Sequence, residues 1–235
     1  MIYSFSKGGE SMKKDTVRKA FFRSLPVMVG YLIIGFGFGM VLQDAGYGLP
    51  WALAMSLFIY AGPMQYVGIS LITAPASLLT CAVTTLMINA RHLFYSISMV
   101  KKFQGAGSFK PYLIFALTDE TYALLSGEGK GEDYYPFCFF LSLFNHLYWI
   151  LGTALGSILA ASLPFSTEGV NFSMTALFVS AYTEQLLSGV HRGAAILGLM
   201  VTLAARLLFG RDLFLIPAMA VITVLLLLKK EGSHD

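Results

Sequence analysis

From Ser24 to Val100 the chain carries only two formally charged side chains, Asp44 and Arg91. A water-soluble fold containing such a stretch would expose a contiguous apolar surface prone to association. A bilayer removes the conflict, because about 20 consecutive apolar residues match a hydrocarbon core of about 30 Å. Over the full 235 residues, 56% are hydrophobic, 12% are charged and the mean hydropathy is +0.69. These values belong to polytopic membrane proteins. The fold expected is therefore an all-α polytopic integral membrane helical bundle, with room for roughly six to eight spans and no sizeable soluble domain.

The net charge of +3 is small, and the basic residues gather at the ends of apolar runs. They read as cytoplasmic anchors, and nucleic acid is not expected as a partner. Lys7, Lys13, Lys14, Arg18, Lys19 and Arg23 precede an apolar run that reaches Leu42, where Gln43-Asp44-Ala45-Gly46 makes a poor cleavage site. The expectation is an uncleaved first span with a cytoplasmic N-terminus in a multi-pass cell-membrane protein. Residues 1 to 24 then form a basic cytoplasmic segment, 25 to 228 a single membrane domain and 229 to 235 a cytoplasmic tail. Cys81 and Cys138 lie in apolar segments and read as small core residues rather than a disulfide;.

Apolar segments fall at about 25 to 43, 49 to 73, 75 to 100, 135 to 163, 171 to 188, 193 to 209 and 212 to 228, with a weaker one at 111 to 125. A Gly-rich charged linker, Gly127 to Asp133, divides the chain;. If every segment crossed, Lys101, Lys102 and Lys110 would face outward, against the excess of Lys and Arg in cytoplasmic loops. If 49 to 73 enters and leaves on one side, and 111 to 125 does not cross, then Lys101, Lys102, Arg192, Lys229 and Lys230 all become cytoplasmic. The second arrangement is preferred.

The second segment supplies its own reason for a break. In Tyr60-Ala61-Gly62-Pro63-Met64-Gln65-Tyr66, Pro63 lacks a backbone donor and disfavours helix at Gly62;. A broken or re-entrant second helical segment follows, as does a plain proline kink. Where a helix restarts in a membrane, its first N–H groups and positive dipole end suit a carboxylate, and the carbonyls ending the previous half suit an ammonium group. Gly62, Pro63 and Gln65 are therefore candidate substrate-binding residues, with the N–H groups of Met64 and Gln65 and the Gln65 amide facing the ligand.

Arg91 and His92 are adjacent on the third segment, about 100° apart on a helix, so at least one of them faces protein or water; they are candidate pathway residues;. A snorkelling arginine is the structural counterpart. Asp119 and Glu120, flanked by Thr118, Thr121 and Tyr122, could bind a substrate ammonium or exchange a proton, or lie on a wet interfacial face;. His146 reads first as a neutral structural histidine and second as a proton relay. Glu184 joins the pathway candidates, or pairs with Arg206.

Gly35 to Gly39 and Gly152 to Gly156 each contain Gly-x-x-x-Gly, which lets helix backbones approach closely in lipid;. No spacing of His, Cys or carboxylates fits a metal site, and no cofactor is expected. No Gly-x-Ser-x-Gly nucleophile turn occurs, so an enzyme is not expected. No internal similarity stands out strongly enough in the sequence to define an inverted repeat.

Five blocks, LPVMVGYLIIGFGFG at 25 to 39, IYAGPMQYVG at 59 to 68, NARHLFYS at 89 to 96, FALTDETYAL at 115 to 124 and NHLYWILGTALG at 145 to 156, occur in an order that resembles the AzlC family of bacterial branched-chain amino-acid exporters. The stretch 169 to 182 is similar to a later span of that family. Pro63 and Met64 stand where the family often has small residues, and Glu184 and Gln185 match no family motif. The resemblance implies a permease of the bacterial cytoplasmic membrane that exports Leu, Ile, Val and sometimes Met. It also implies a small AzlD-type membrane subunit as partner. Alternating access with proton coupling is the expected mechanism. A membrane-embedded enzyme and a noncatalytic scaffold subunit are the alternatives.

Overall fold

The computed structural model describes residues 8 to 74, 76 to 129, 131, 133 to 162, 179, 182 to 183, 186 to 187, 192 to 214, 217 to 218, 220 to 222 and 224 to 225. All regular structure among them is helical. Three of the described helices are long and apolar enough to cross a bilayer. The chain divides into two compact units, Met1–Asn171 and Phe172–Asp235.

The first unit is built on α1 (Gly8–Asp44) and α7 (Tyr134–Ser162). α1 begins well before the apolar run near residue 25, because the basic segment Lys13 to Arg23 is itself made of good helix formers;. The two long helices run parallel. Thr16 Oγ1 donates to Asp133 at one end, Phe21 meets Phe144, and Ser157 Oγ donates to Gln43 at the other end. Their glycines set the spacing. A Cβ on Gly152 would lie 2.7 Å from the Leu32 carbonyl oxygen, and one on Gly35 would lie 2.9 Å from that of Trp149. The Gly-x-x-x-Gly motifs thus serve close packing, as their spacing implies.

Between α1 and α7 the chain forms α2 (Leu49–Phe58), α3 (Gly62–Thr73), α4 (Leu78–Val100), α5 (Lys110–Phe115) and α6 (Asp119–Ser126). α2 and α3 make a re-entrant hairpin. Tyr47, just past the end of α1, donates its hydroxyl to the Ile72 carbonyl near the end of α3, so the segment leaves on the side it entered. At 1.5 Å per residue the two halves are about 15 and 18 Å long, half of a bilayer core. α4 then returns to the end where α1 begins. Its start is fixed by Ser77, whose hydroxyl accepts from the Thr80 N–H.

α5 and α6 form a second hairpin that enters from the opposite end. Phe109 packs on Phe139 near the start of α7, and after α6 Lys102 Nζ donates to the Ser126 carbonyl at 2.6 Å. Glu128 then pairs with Arg23 on α1 at 3.3 Å. Lys102 therefore shares an end with the basic residues of α1, as the preferred charge distribution required. Buried Met99, Phe103, Leu113, Leu125, Phe137 and Leu141 form the core at this end.

In the second unit, α8 (Arg192–Leu213) is interrupted at Gly210, whose φ of +75° lies in the left-handed region;. The expected segments 171 to 188 and 212 to 228 fall largely outside the described residues.

Candidate functional site

The tips of the two hairpins meet beside the middle of α7. His146 lies about 18 Å along α7 from Tyr134, near the centre of the helix at 1.5 Å per residue. The first tip is Ile59-Tyr60-Ala61. Tyr60 takes a φ of +44°, a conformation that costs a non-glycine residue about 1–3 kcal/mol and persists only when its surroundings impose it;. The surroundings are aromatic: the Tyr60 ring stacks on His146 with centroids 4.1 Å apart, faces Tyr31 edge-on, and lies 6.2 Å from Phe115 at the end of α5.

α3 restarts with Gly62 and Pro63, and no side chain caps its N-terminus at Ala61. Proline suits this first turn because its missing N–H has no intrahelical partner there. Gly62 packs tightly against Trp149: a Cβ would sit 3.0 Å from the indole ring. The expectation for Gln65 needs one correction. Its backbone N–H closes the first turn by donating to the Ala61 carbonyl at 2.8 Å, so it is committed to the helix. Its side chain is different. Gln65 is 0% exposed, and neither its amide oxygen nor its amide nitrogen makes a hydrogen bond. Trp149 Nε1 and Asn145 Oδ1 on α7 are likewise buried without hydrogen-bond partners. Buried polar groups without partners cost about 1–3 kcal/mol each, which makes such a group a mark of a binding position.

The second tip is Ala116-Leu117-Thr118. Thr118 caps α6 by accepting from the Thr121 N–H, and Asn145 Nδ2 donates to the Thr121 hydroxyl. Glu120, in the first turn of α6, lies 2.7 Å from the Tyr31 hydroxyl, which is also 2.6 Å from the Thr118 hydroxyl. With a single proton, Tyr31 donates to the carboxylate, the stronger acceptor. Asp119 points elsewhere: the Tyr95 hydroxyl of α4 donates to it. Of the two acids, Glu120 is joined through Tyr31 to both tips, and Asp119 ties α6 to α4.

His146 sits between the two hairpins. Its Nε2 faces the Ser56 carbonyl at 3.0 Å and its Nδ1 the Tyr112 hydroxyl at 3.1 Å. A carbonyl only accepts, so Nε2 carries a proton, while the Tyr112 hydroxyl can either donate to Nδ1 or accept from it;. His92 lies on α4 with its ring 5.3 Å from Tyr95, the residue that donates to Asp119. Arg91 belongs to α4; its side chain, and all of Glu184, lie outside the described residues. Among the described residues no group of three His, Cys, Asp or Glu is placed to hold a metal.

Tyr31 and Tyr60 link the two tips and are not among the residues singled out from sequence. A signal existed for Tyr31, since it and Gln43 are the only hydrogen-bonding side chains between Ser24 and Asp44. Tyr60 stood inside the recognised break. Only its backbone conformation shows that it forms the tip.

Residues 26–163, which contain both hairpins and both long helices, match the family profile described as AzlC protein. The chain is 38% identical over 216 residues to the branched-chain amino acid transport protein AzlC of Bacillus subtilis, covering 91% of this chain and 85% of that one. An uncharacterized membrane protein of Helicobacter pylori is 40% identical over 91% of this chain and 95% of its own length. The inner membrane protein YgaZ of Escherichia coli is 27% identical over 67% of this chain and 68% of its own. No solved structure matches. On the extent of both the profile match and the identities, the chain is a membrane protein that belongs to the AzlC family.

Proposed function

We propose that this protein exports branched-chain and similar hydrophobic amino acids across the bacterial cytoplasmic membrane by alternating access, coupled to protons and assisted by a small AzlD-type membrane subunit. The observation that carries the proposal is Gln65, wholly buried one turn into α3 with both amide atoms unpaired. A zwitterion needs one positive and one negative partner. The uncapped, positive N-terminal end of α3 and the Gln65 amide suit the carboxylate. Glu120 suits the ammonium group and can exchange a proton, with Tyr31 holding it beside the two tips;. The rings of Tyr60, Trp149 and Phe38 suit an aliphatic side chain.

Gly62 and Pro63 serve this reading by starting α3 where they do. Asp119 orients α6 through Tyr95. Arg91, His92 and Glu184 are proposed to act along the pathway, outside the substrate contacts.

The test is efflux of labelled leucine from preloaded cells, with and without the small subunit. Gln65→Ala and Glu120→Gln should each lower efflux about tenfold or more at unchanged membrane levels, the size expected for losing one buried polar contact. Equal efflux of Leu, Ile, Val and Met from cells with and without the protein would remove the proposal.

A further inference from the structure

The two hairpins are fastened to α1 and α7 in different ways. Buried groups hold α2–α3: Ser56 Oγ donates to Thr153 at 3.1 Å, the Ser56 carbonyl accepts from His146, and Gly62 lies against the Trp149 ring. Tyr66 adds a bond to the Ile34 carbonyl of α1. The chain leaves this hairpin through Ala74-Pro75-Ala76, where proline restricts the backbone;. α1 and α7 themselves are locked together by glycines that bring backbone onto backbone;. The first hairpin and the two long helices thus make one body.

The outer end of α5–α6 is held by polar ties instead. Lys102 Nζ donates to the carbonyls of Leu125 at 3.1 Å and Ser126 at 2.6 Å in the last turn of α6, and Glu128 pairs with the exposed Arg23 at 3.3 Å. Such groups exchange partners with water at little cost. Glycine stands at both ends of this hairpin. Gly107, with φ +53°, turns the chain into it; at the exit Gly127 has φ −84°, and a Cβ on Gly127 or Gly129 would meet nothing within 4 Å. Neither close packing nor a left-handed turn calls for glycine at the exit. What glycine adds there is backbone freedom, and a hinge consists of a few such residues at the ends of elements.

A seal lies between this end and the hairpin tips. Leu113 and Leu125 of the hairpin pack with Phe103, Phe137, Cys138 and Leu141, all of them buried. The seal is complete only while the hairpin is seated. At the tip, Tyr31 donates to Glu120, so the carboxylate proposed to take the substrate's ammonium group is also a tie of this hairpin.

We propose that the α5–α6 hairpin is a hinged gate at the end bearing the basic residues of α1, turning about Gly107 and Gly127–Gly129 while α2–α3 stays on α1 and α7. Seated, it closes the Gln65 and Glu120 site from that end; lifted, it admits the amino acid. Lys102 and the Arg23–Glu128 pair are its latch. An ammonium group at Glu120 competes with Tyr31 for the carboxylate and so loosens the tip. The inference rests on the proposed transport of amino acids, and it names the element that moves.

Two measurements test it. Cys138, 0% exposed beneath the gate, reports opening without reference to transport. In Cys81→Ser protein in nanodiscs, its reaction with a water-soluble maleimide should be slow, several-fold faster with Lys102→Met added, and unchanged with Tyr66→Phe, which loosens the other hairpin. The second measurement is a lock, with both native cysteines replaced. Tyr112→Cys with Phe139→Cys ties α5 to α7, where the rings stand 5.3 Å apart; Phe21→Cys with Phe144→Cys ties α1 to α7, at 5.6 Å, as the control. A short, reducible bifunctional thiol reagent should abolish leucine efflux through the first pair, reduction should restore it, and the second pair should export as before. Full efflux through the locked first pair, or equal Cys138 rates with and without Lys102→Met, would overturn the gate and leave the proposed function standing. If the Tyr112→Cys and Phe139→Cys protein fails to reach the membrane, the Cys138 rates decide alone. Absence of leucine efflux from the parent would remove the transport reading, and the Cys138 rates would still show whether the hairpin lifts.

Discussion

Tyr60 and His146 stack with ring centroids 4.1 Å apart and planes 28° from parallel, so the tip of the first hairpin rests on the middle of α7. The imidazole cannot turn away, because it bridges the Ser56 carbonyl and the Tyr112 hydroxyl, one from each hairpin. It fastens both hairpins to the same helix.

His146→Phe should therefore act on stability before it acts on transport. Phenylalanine keeps the stack and strips two hydrogen bonds, leaving groups whose loss of a partner costs about 1–3 kcal/mol each. The expected result is a lower melting temperature in detergent with an unchanged half-saturating leucine concentration. His146→Gln should recover part of the stability. An unchanged melting temperature with lost leucine affinity would instead put His146 in contact with substrate.

The α1–α7 crossing predicts a sharper effect. A Cβ on Gly156 would land on the Phe36 carbonyl oxygen, and one on Gly39 on that of Thr153; backbone cannot move aside as a flexible side chain can. Gly156→Ala and Gly39→Ala should each force the helices apart and lower stability by about 3 kcal/mol or more, beyond the usual cost of overpacking. Gly30→Ala meets nothing within 4 Å and should be neutral. Thermal unfolding of the three purified variants checks the contrast.

Much of this arrangement was legible in the sequence because lipid imposes simple rules. Pro63 after Gly62 marked the first break, the distribution of Lys101 and Lys102 pointed to segments that do not cross, and the two Gly-x-x-x-Gly motifs marked the close crossing. The second hairpin was only half visible. Residues 111 to 125 looked too short and too acidic to span, yet nothing in PYLIFALTDETYALL fixes a turn at Ala116-Leu117-Thr118. The partners of each polar group were not legible at all. Tyr31 reaches Glu120 across 89 residues of chain, and Gln65 differs from any packed glutamine only in having no partner. Such facts depend on which elements come together, which periodicity along one segment does not encode.

The opposed hairpins predict a labelling pattern. With Cys81 and Cys138 replaced, single cysteines at Gly48 and Ala74 should react with a membrane-impermeant thiol reagent from one side, because Tyr47 and Ile72 adjoin. Cysteines at Gln104 and Gly127 should react only from the other side, where Lys102 meets Ser126. With the cytoplasmic N-terminus expected from the basic residues of α1, that second side is the cytoplasmic one. Gly48 and Ala74 labelled from opposite sides would mean that α2 and α3 cross fully.

Tyr31 and Tyr66 form a matched pair for separating function from stability. Each phenol donates to an acceptor on another element: the buried Tyr31 to Glu120 at 2.7 Å, the half-buried Tyr66 to the Ile34 carbonyl at 2.8 Å. Tyr66→Phe removes a neutral contact on the α1–α3 interface and should lower stability by about 1 kcal/mol while leaving leucine efflux intact. Tyr31→Phe removes the donor that holds a carboxylate beside both hairpin tips. Its stability cost is similar or somewhat larger, since bonds to charged groups contribute about 1.5–3 kcal/mol. Its efflux should fall several-fold further than that of Tyr66→Phe. If Glu120 acts only as a structural acceptor, the two variants will lose stability and keep transport alike, and Glu120→Gln, which preserves an acceptor for Tyr31, will transport as the parent does.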